Sequence, residues 1–475
     1  SLKSPKEAIL FYQMANPSKR EILPSKFKDA VNQLSEEDRL SLLEKLNDQF
    51  LTSYLLFERG LYQFQNENYK EALNIFSEFA TDFPHHQKRP EALELIRKIN
   101  DRLAFKRRLI GCLLPLTGPY AAFGNRALKG IQLALDQFNS QSNQPAFEII
   151  VKDTRSDPKT TINAIRQFDK SRVSIIIGSI ITSEYAAKEA QIRGIPIITL
   201  SQKPDIPELG DYVFRVFLTP QMQMDTLVPY VVNELGIKRF AVLYPEENYG
   251  NIFFKIFRER VLDHGGSLVA VASYRPEQTD FAAQIKKILK KRTPRQEAVP
   301  ISENHVINRE RRHQKYEVIL DFDAIFIPDS ADKIALIAPQ LAFYDIDNVL
   351  LMGTNLWHSD KLINLAQNYV QEAILTDAFY AKDSKKNIKK FITDFKRING
   401  ESPGLIEALA YDTAMVNFYN LSNPKIQSRS DLKHALKKQP GFDGVTGRTS
   451  FKENGDAVKR LYLLQVEENR FVQVN

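Results

Sequence analysis

Two regimes of hydrophobic patterning divide the chain. From Ser4 to about Phe105 apolar residues recur at helical spacing and no segment reads as a strand. From Arg108 onward, short β-branched runs alternate with amphipathic stretches, the pattern of parallel sheets with helical crossovers. In the first regime Ser4-Pro5-Lys6-Glu7 reads as a helix start. The serine oxygen can accept an orphan backbone N–H, proline suits the first helical position, and the glutamate can reach back. Ser35-Glu36-Glu37-Asp38 reads as another start, followed by Leu40, Leu42, Leu43 and Leu46 near helical spacing. In the second regime a first set of strands is predicted at 109–114, 147–151, 173–177, 195–199 and 212–217, with helices such as 125–139 and 183–193 between them. After Thr219-Pro220 a second set follows at 240–243, 267–271, 324–327, 349–352 and 373–376. Helices at 386–398 and 405–419 and a final strand pair at 446–451 and 461–466 complete two similar lobes.

Residues 53–86 place Gly60, Tyr69, Ala72, Phe76 and Pro84 at offsets that resemble a tetratricopeptide repeat, with Leu56 at the repeat's aromatic position. Small Gly60 and Ala72 let two antiparallel helices approach, Phe76 fills the gap, and Pro84 ends the second helix. A second helix pair is suggested by 89–98. Two readings stand side by side: a private helical bundle that stabilises its own chain, or a repeat module offering a groove to a protein partner.

Composition adds limits. A length of 475 residues predicts about three domains at roughly 150 residues each. With 43% hydrophobic and 26% charged residues the chain is neither disordered nor collagen-like. No apolar run approaches the ~18 residues of a membrane helix. A single cysteine, Cys112, in the middle of a predicted strand, excludes an intrachain disulfide and a cysteine zinc site, and reads as a buried hydrophobe. The net charge of +7 is modest and does not point to nucleic acid. Part of it lies in Lys286, Lys287, Lys290, Lys291, Arg292 and Arg295, at the start of a charged surface insertion at 291–315. No aromatic residues interleave this run, as a nucleic-acid platform would require. The chain starts Ser1-Leu2, which reads as a processed or truncated form, with a signal segment or lipid anchor expected to have been removed.

Ligands of open α/β sheets bind beyond the carboxyl ends of the strands. Behind the first predicted strand come Tyr120 and Phe123-Gly124, ahead of a helix. Ser179, Thr182 and Ser183 follow the third, and Ser201 and Lys203 follow the fourth. In the second lobe the matching positions hold Tyr249, Asp329, Ser330, Asn355 and Trp357. Hydroxyls at a helix start, backed by free N–H groups, suit a carboxylate, although they also serve as plain caps. Aromatic residues can cover the apolar part of a ligand. Catalytic patterns are poor: no His-x-x-x-His pairing, no Gly-x-Ser-x-Gly elbow, no Walker loop, and no partner for His358 near the proposed cleft. We therefore expect no enzyme activity, no metal and no cofactor.

With Pro115-Leu116-Thr117-Gly118-Pro119, Phe123-Gly124, Asp153, Asp157-Pro158, Ile177-Gly178-Ser179, the stretch 196–201 and Asn248-Tyr249-Gly250 in order, the chain from about Arg108 to Val474 resembles type I periplasmic binding proteins of the leucine/isoleucine/valine-binding kind. The resemblance implies an α/β fold of two lobes joined by three crossovers and closing on a ligand. The expected domains are 1–107, helical; 108–218 with 379–441, the first lobe; and 219–378 with 442–475, the second. It places a ligand carboxylate at Thr182, Ser201 and neighbouring backbone, a covering aromatic at Phe123, and an aromatic facing the ligand amino group at Tyr249. The acid that pairs the ligand ammonium falls near neutral Asn355, with Asp329 one loop away as its replacement. A threonine becomes Lys203, which favours extra negative charge.

Helices ahead of such lobes make the whole similar to the lipoprotein activators of penicillin-binding proteins. That similarity implies a periplasmic, non-catalytic regulator or adaptor of peptidoglycan synthesis, anchored to a membrane only through a removed lipid. It would bind an amino-acid-like or peptide-like ligand, and a peptidoglycan synthase through the helices or a lobe surface. The alternative is the substrate-binding component of an ABC importer for amino acids or related solutes, with a permease as partner. Nucleic acid is not expected as a partner.

Overall fold

The computed structural model describes residues 4–14, 25–141, 144–203, 205–289 and 320–474. The predicted insertion at 291–315 lies outside the described residues. Helices α1 (Pro5–Met14), α2 (Ser25–Asn32), α3 (Glu36–Leu43), α4 (Gln49–Gln65), α5 (Tyr69–Asp82) and α6 (Arg89–Leu103) come first. Caps start them as the sequence suggests. The Glu7 amide donates to Ser4 Oγ at 3.2 Å, and the Asp38 amide to Ser35 Oγ at 3.1 Å. Helices α4 and α5 meet where Gly60 leaves room: a Cβ there would lie 2.6 Å from the Phe76 ring. Phe76 and Ala72 are fully buried in that seam. Instead of a second helix pair, 89–98 belongs to the single helix α6, which contacts α5 and a later helix of the first lobe.

Strands β1 (Lys106–Leu114), β2 (Glu148–Asp153), β3 (Val173–Gly178), β4 (Ile197–Thr199) and β5 (Val213–Arg215) form a parallel sheet in the order β2-β1-β3-β4-β5. Helices α7 (Ala121–Gln141), α8 (Pro158–Ser171) and α9 (Ser183–Ile192) return the chain between strands. The order reverses between β1 and β3, which opens a crevice at their carboxyl ends. Strand β3 is buried at all six positions, as a strand covered on both faces requires. Cys112 lies fully inside this core, and burial pushes its thiol up to about 12.

The second sheet is fed by α10 (Pro220–Pro229), β6 (Arg239–Pro245), α11 (Asn248–Asp263), β7 (Ser267–Tyr274), α12 (Ala282–Ile288), β8 (Ala324–Phe326), α13 (Ala331–Phe343), β9 (Leu350–Met352), α14 (Asp360–Ala366) and β10 (Ile374–Asp377). The chain then returns to the first core through α15 (Lys386–Asn399), α16 (Leu405–Ser422) and α17 (Arg429–Lys438). A small antiparallel sheet follows: β11 (Phe442–Gly444), β12 (Gly447–Phe451) and β13 (Ala457–Lys459). Strands β14 (Tyr462–Glu467) and β15 (Arg470–Gln473) complete the second sheet in the order β15-β14-β10-β9-β8-β6-β7.

Two expectations are corrected. The final strand pair is not a pair: β12 bonds to β11 and β13, whereas β14 runs antiparallel to β10. Burial explains the split. Val445, Phe451 and Ala457 pack into the first core, while Leu464 and Val466 pack into the second. Residues 442–459 therefore belong with the first lobe, not the second, and the return to the second lobe comes at β14. The chain crosses three times between lobes, and Leu218, Ala378 and Leu461, one from each crossing, form a small buried cluster.

Candidate ligand-binding site

The lobes build their first helices in the same way. Strand β1 is followed by Pro115 and β6 ends in Pro245, and an aromatic-glycine pair sits in the first turn of the helix after each: Phe123-Gly124 in α7 and Tyr249-Gly250 in α11. The first pair therefore lies inside its helix, which starts at Ala121, rather than ahead of it. Both glycines are needed for close approach. A Cβ at Gly124 would lie 2.0 Å from the Pro115 carbonyl oxygen, and one at Gly250 would lie 2.2 Å from that of Pro245. Each helix start is thus pressed onto its strand end, and the preceding aromatic is held at the cleft. Asp153 shapes the loop in between, accepting the Leu116 amide at 2.8 Å and the Thr117 hydroxyl at 2.6 Å. Burial raises its carboxyl, but bonds from Thr117, Arg155 and Leu116 outweigh that and hold it below the usual range.

A cavity of about 450 Å³ opens at the carboxyl ends of the first sheet. Tyr120, Phe123, Ile180, Ile181, Leu200, Phe217, Ile406 and Leu409 line its apolar walls, and Ser201, Gln202 and Lys203 its polar edge. A second cavity, of about 280 Å³, faces the other lobe and is lined by Gln202, Lys203, Leu218, Pro220, Gln223, Asn248, Tyr249, Ile252 and Phe253. Gln202 and Lys203 border both, so the two form one cleft around this loop.

Of the residues expected from sequence, Tyr120, Phe123, Ser201, Lys203 and Tyr249 line the cleft. The Ser201 oxygen accepts the Ser183 hydroxyl at 2.9 Å and the Lys203 amide at 3.3 Å, which leaves its own proton to donate. Ser183 is fully buried and acts through Ser201. Thr182 and Ser179 are buried as well. The Thr182 hydroxyl bonds Thr161 at 2.7 Å and Ser179 at 3.0 Å. Thr182 makes no side-chain cap on α9, so the plain capping role is not realised there. That side chain leaves the first-turn amides of the helix uncapped, and the N-terminus of a helix suits an anion.

Other expected residues serve the second lobe's frame. Asp329 accepts the Tyr274 hydroxyl at 2.6 Å and the Ser330 amide at 2.5 Å. Asn355 is held by Gln223 through two bonds of 3.0 Å each. The Tyr249 hydroxyl bonds Thr354 at 2.9 Å, and burial pushes the phenol well above its ordinary range. Trp357 is a correction. It is fully buried in the second core, its ring covers Gly353, and it lines neither cavity. Ser330 precedes α13 without capping it and lines neither cavity. His358 has the partner that sequence reasoning did not supply: its Nδ1 lies 2.5 Å from Asp377.

Arg215 at the end of β5 is the residue that the sequence did not single out. Its guanidinium grips Asp456 by two bonds of 2.9 Å each, and it donates to the carbonyls of Gln202 and Lys203. It is 4% exposed. The cleft loop is thus anchored from inside the first lobe. Ile406 and Leu409 were also missed, because α16 lies some two hundred residues away in sequence.

A family described as periplasmic binding protein matches residues 109–470. The chain is 26% identical over 186 residues to Leu/Ile/Val-binding protein homolog 3 of Brucella melitensis, covering 38% of this chain and 50% of the relative. It is 25% identical over 182 residues to the leucine-, isoleucine-, valine-, threonine-, and alanine-binding protein of Pseudomonas aeruginosa, covering 37% and 49%. The chain thus spans about half the length of these curated relatives. Among solved structures, the leucine binding protein LivK of Thermotoga maritima superposes with a TM-score of 0.57 at 24% identity, over 77% of this chain and 97% of that one. The branched-chain amino acid transporter substrate binding protein LivJ of Streptococcus pneumoniae, in complex with isoleucine, gives 0.55 at 23%, over 78% and 100%. Both show the two-lobed fold. On a match covering most of its length, with two α/β lobes facing a common cleft, the chain belongs to the periplasmic binding protein family.

Proposed function

We propose that this chain is the periplasmic solute-binding component of an ABC importer, and that it binds a small, amino-acid-sized carboxylate with an apolar substituent without acting on it. The observation that carries the reading is the apolar cavity of about 450 Å³ at the carboxyl ends of the first sheet, edged by Ser201. The ligand carboxylate would accept hydrogen bonds from the Ser201 hydroxyl and from the first-turn amides of α9. Its apolar part would lie between Tyr120, Phe123 and Leu409. Closure about the three crossings would bring Tyr249 over it, favoured because only the closed form contacts the ligand from both lobes. A permease is the proposed partner. The kinship with leucine-, isoleucine- and valine-binding proteins supports this reading over that of a peptidoglycan-synthesis regulator.

One observation keeps the adaptor reading in view: helices α1 to α6 lie outside the family match and pack onto the first lobe through α6 and α17. Their tetratricopeptide-like packing around Gly60 and Phe76 would suit a protein partner.

A thermal-shift panel of amino-acid-sized carboxylates tests the main reading. A ligand at a hundred times its Kd should add about 2.7 kcal/mol of stability. A panel that shifts nothing, together with native mass spectrometry showing no bound small molecule, overturns it. Capture of a membrane synthase by the full chain, lost on removing residues 4–104, would favour the adaptor instead.

A further inference from the structure

Among the described residues, neither cavity of the cleft is lined by a carboxylate; the one charged side chain lining them is Lys203, and it lines both. Of the second-lobe groups that could meet an ammonium, Glu247 acts on Tyr249 from outside the cavity lining, and Asn355 and Asp329 are tied. Asn355 is neutral and doubly bonded to Gln223. Asp329 spends one oxygen on the Tyr274 hydroxyl and the other on the Ser330 amide. Lys203 itself is only loosely paired: Nζ lies 3.9 Å from Glu184, whose carboxylate already holds Lys188 at 2.8 Å. Its backbone, in contrast, is fixed by Arg215. An amino acid entering this cleft would bring a cation toward a cation and bury it without a counter-charge, which is costly.

From this we infer that the natural ligand is a net anion, an apolar-tailed carboxylic acid with no α-ammonium group, and that Lys203 is the residue that selects it. The inference rests on the carboxylate-receptor reading above and narrows its ligand class. A flexible lysine with a half-exposed head can swing toward an anion from the fixed loop. The apolar walls on Ile180 and Leu409 would take an aliphatic or aromatic tail.

The test uses isosteric pairs in titration calorimetry on the full chain at neutral pH: 4-methylpentanoate against L-leucine, and 3-phenylpropanoate against L-phenylalanine. The expected result is at least tenfold tighter binding of the des-amino acid in one or both pairs. Lys203→Gln should weaken that acid at least tenfold and leave the amino acid unchanged or improved, and Lys203→Arg should keep most of the preference. Tighter binding of the amino acid in both pairs overturns the inference while leaving the carboxylate-receptor reading intact. An unchanged ratio in Lys203→Gln removes Lys203 from the role. No binding by any of the four overturns both.

Discussion

Arg215→Met is the variant whose consequences the structure fixes most closely. The guanidinium joins β5, the cleft loop and the β12–β13 turn in one buried contact. Removing it leaves Asp456, 17% exposed at its side chain, without its bidentate partner. Breaking a buried ion pair from one side costs about 3–5 kcal/mol. The partial exposure of Asp456 puts the expected loss near 3 kcal/mol. Carbonyls of Gln202 and Lys203 also lose a donor, at about 1 kcal/mol for each bond. The sum is about 5 kcal/mol, read from urea unfolding of the full chain. The double variant Arg215→Met/Asp456→Leu strands no charge, so it should recover more than half of that loss. Ligand affinity should stay reduced in both variants, because the loop carrying Ser201 and Lys203 is unanchored either way. A single variant within 1 kcal/mol of the parent, or a double variant that restores affinity along with stability, would refute the reasoning.

Three further outcomes follow from the same structure. Gly124→Ala and Gly250→Ala should each cost about 1–3 kcal/mol by overpacking against a strand-end carbonyl and weaken ligand binding, as thermal melting and calorimetry would show. Trp357→Ala should cost about 3–5 kcal/mol, while Trp357→Phe leaves ligand affinity unchanged, since the ring is core; an affinity loss with Phe would return it to the site. The pH dependence of the melting midpoint carries two opposing signs. Burial raises the folded-state phenols of Tyr249 and Tyr411 above 10.0, so the unfolded chain loses those protons first and stability falls as pH passes that value. Lys459 is lowered from 10.5 to about 8 by burial, against the pull of Asp412, so its destabilising contribution is full below 8 and disappears by 10.5. Lys459→Met should therefore remove the rise between those values and leave the alkaline fall.

Strand-length apolar runs made the parallel strands legible, because buried β3 and β4 are built mainly of Val and Ile with no competing period. Pro115 and the aromatic-glycine positions Phe123-Gly124 and Tyr249-Gly250 were also readable, whereas the predicted strand at 240–243 stopped short of Pro245. The sequence could not reveal that Phe451 and Leu464 enter different cores, since alternation looks the same for either partner sheet. Hydroxyl-rich loops located the crevice, but not which hydroxyls face it. Thr182 bonds Thr161 and Ser179, Ser183 donates to Ser201, and of these hydroxyls Ser201 is the one left with a proton to donate. Trp357 misled because an aromatic two residues past a strand-end loop suits a lid as well as a core plug, and its burial depends on the space above Gly353. Arg215 was invisible for the opposite reason: its partners lie 12, 13 and 241 residues away.

The most direct measurement is a crystal structure of the full chain with 4-methylpentanoate bound. The account predicts the carboxylate within hydrogen-bond distance of Ser201 and the first turn of α9, the tail between Tyr120, Phe123 and Leu409, and Lys203 turned toward the anion. Density for the acid outside this cavity, or a carboxylate held only by second-lobe residues, would contradict it.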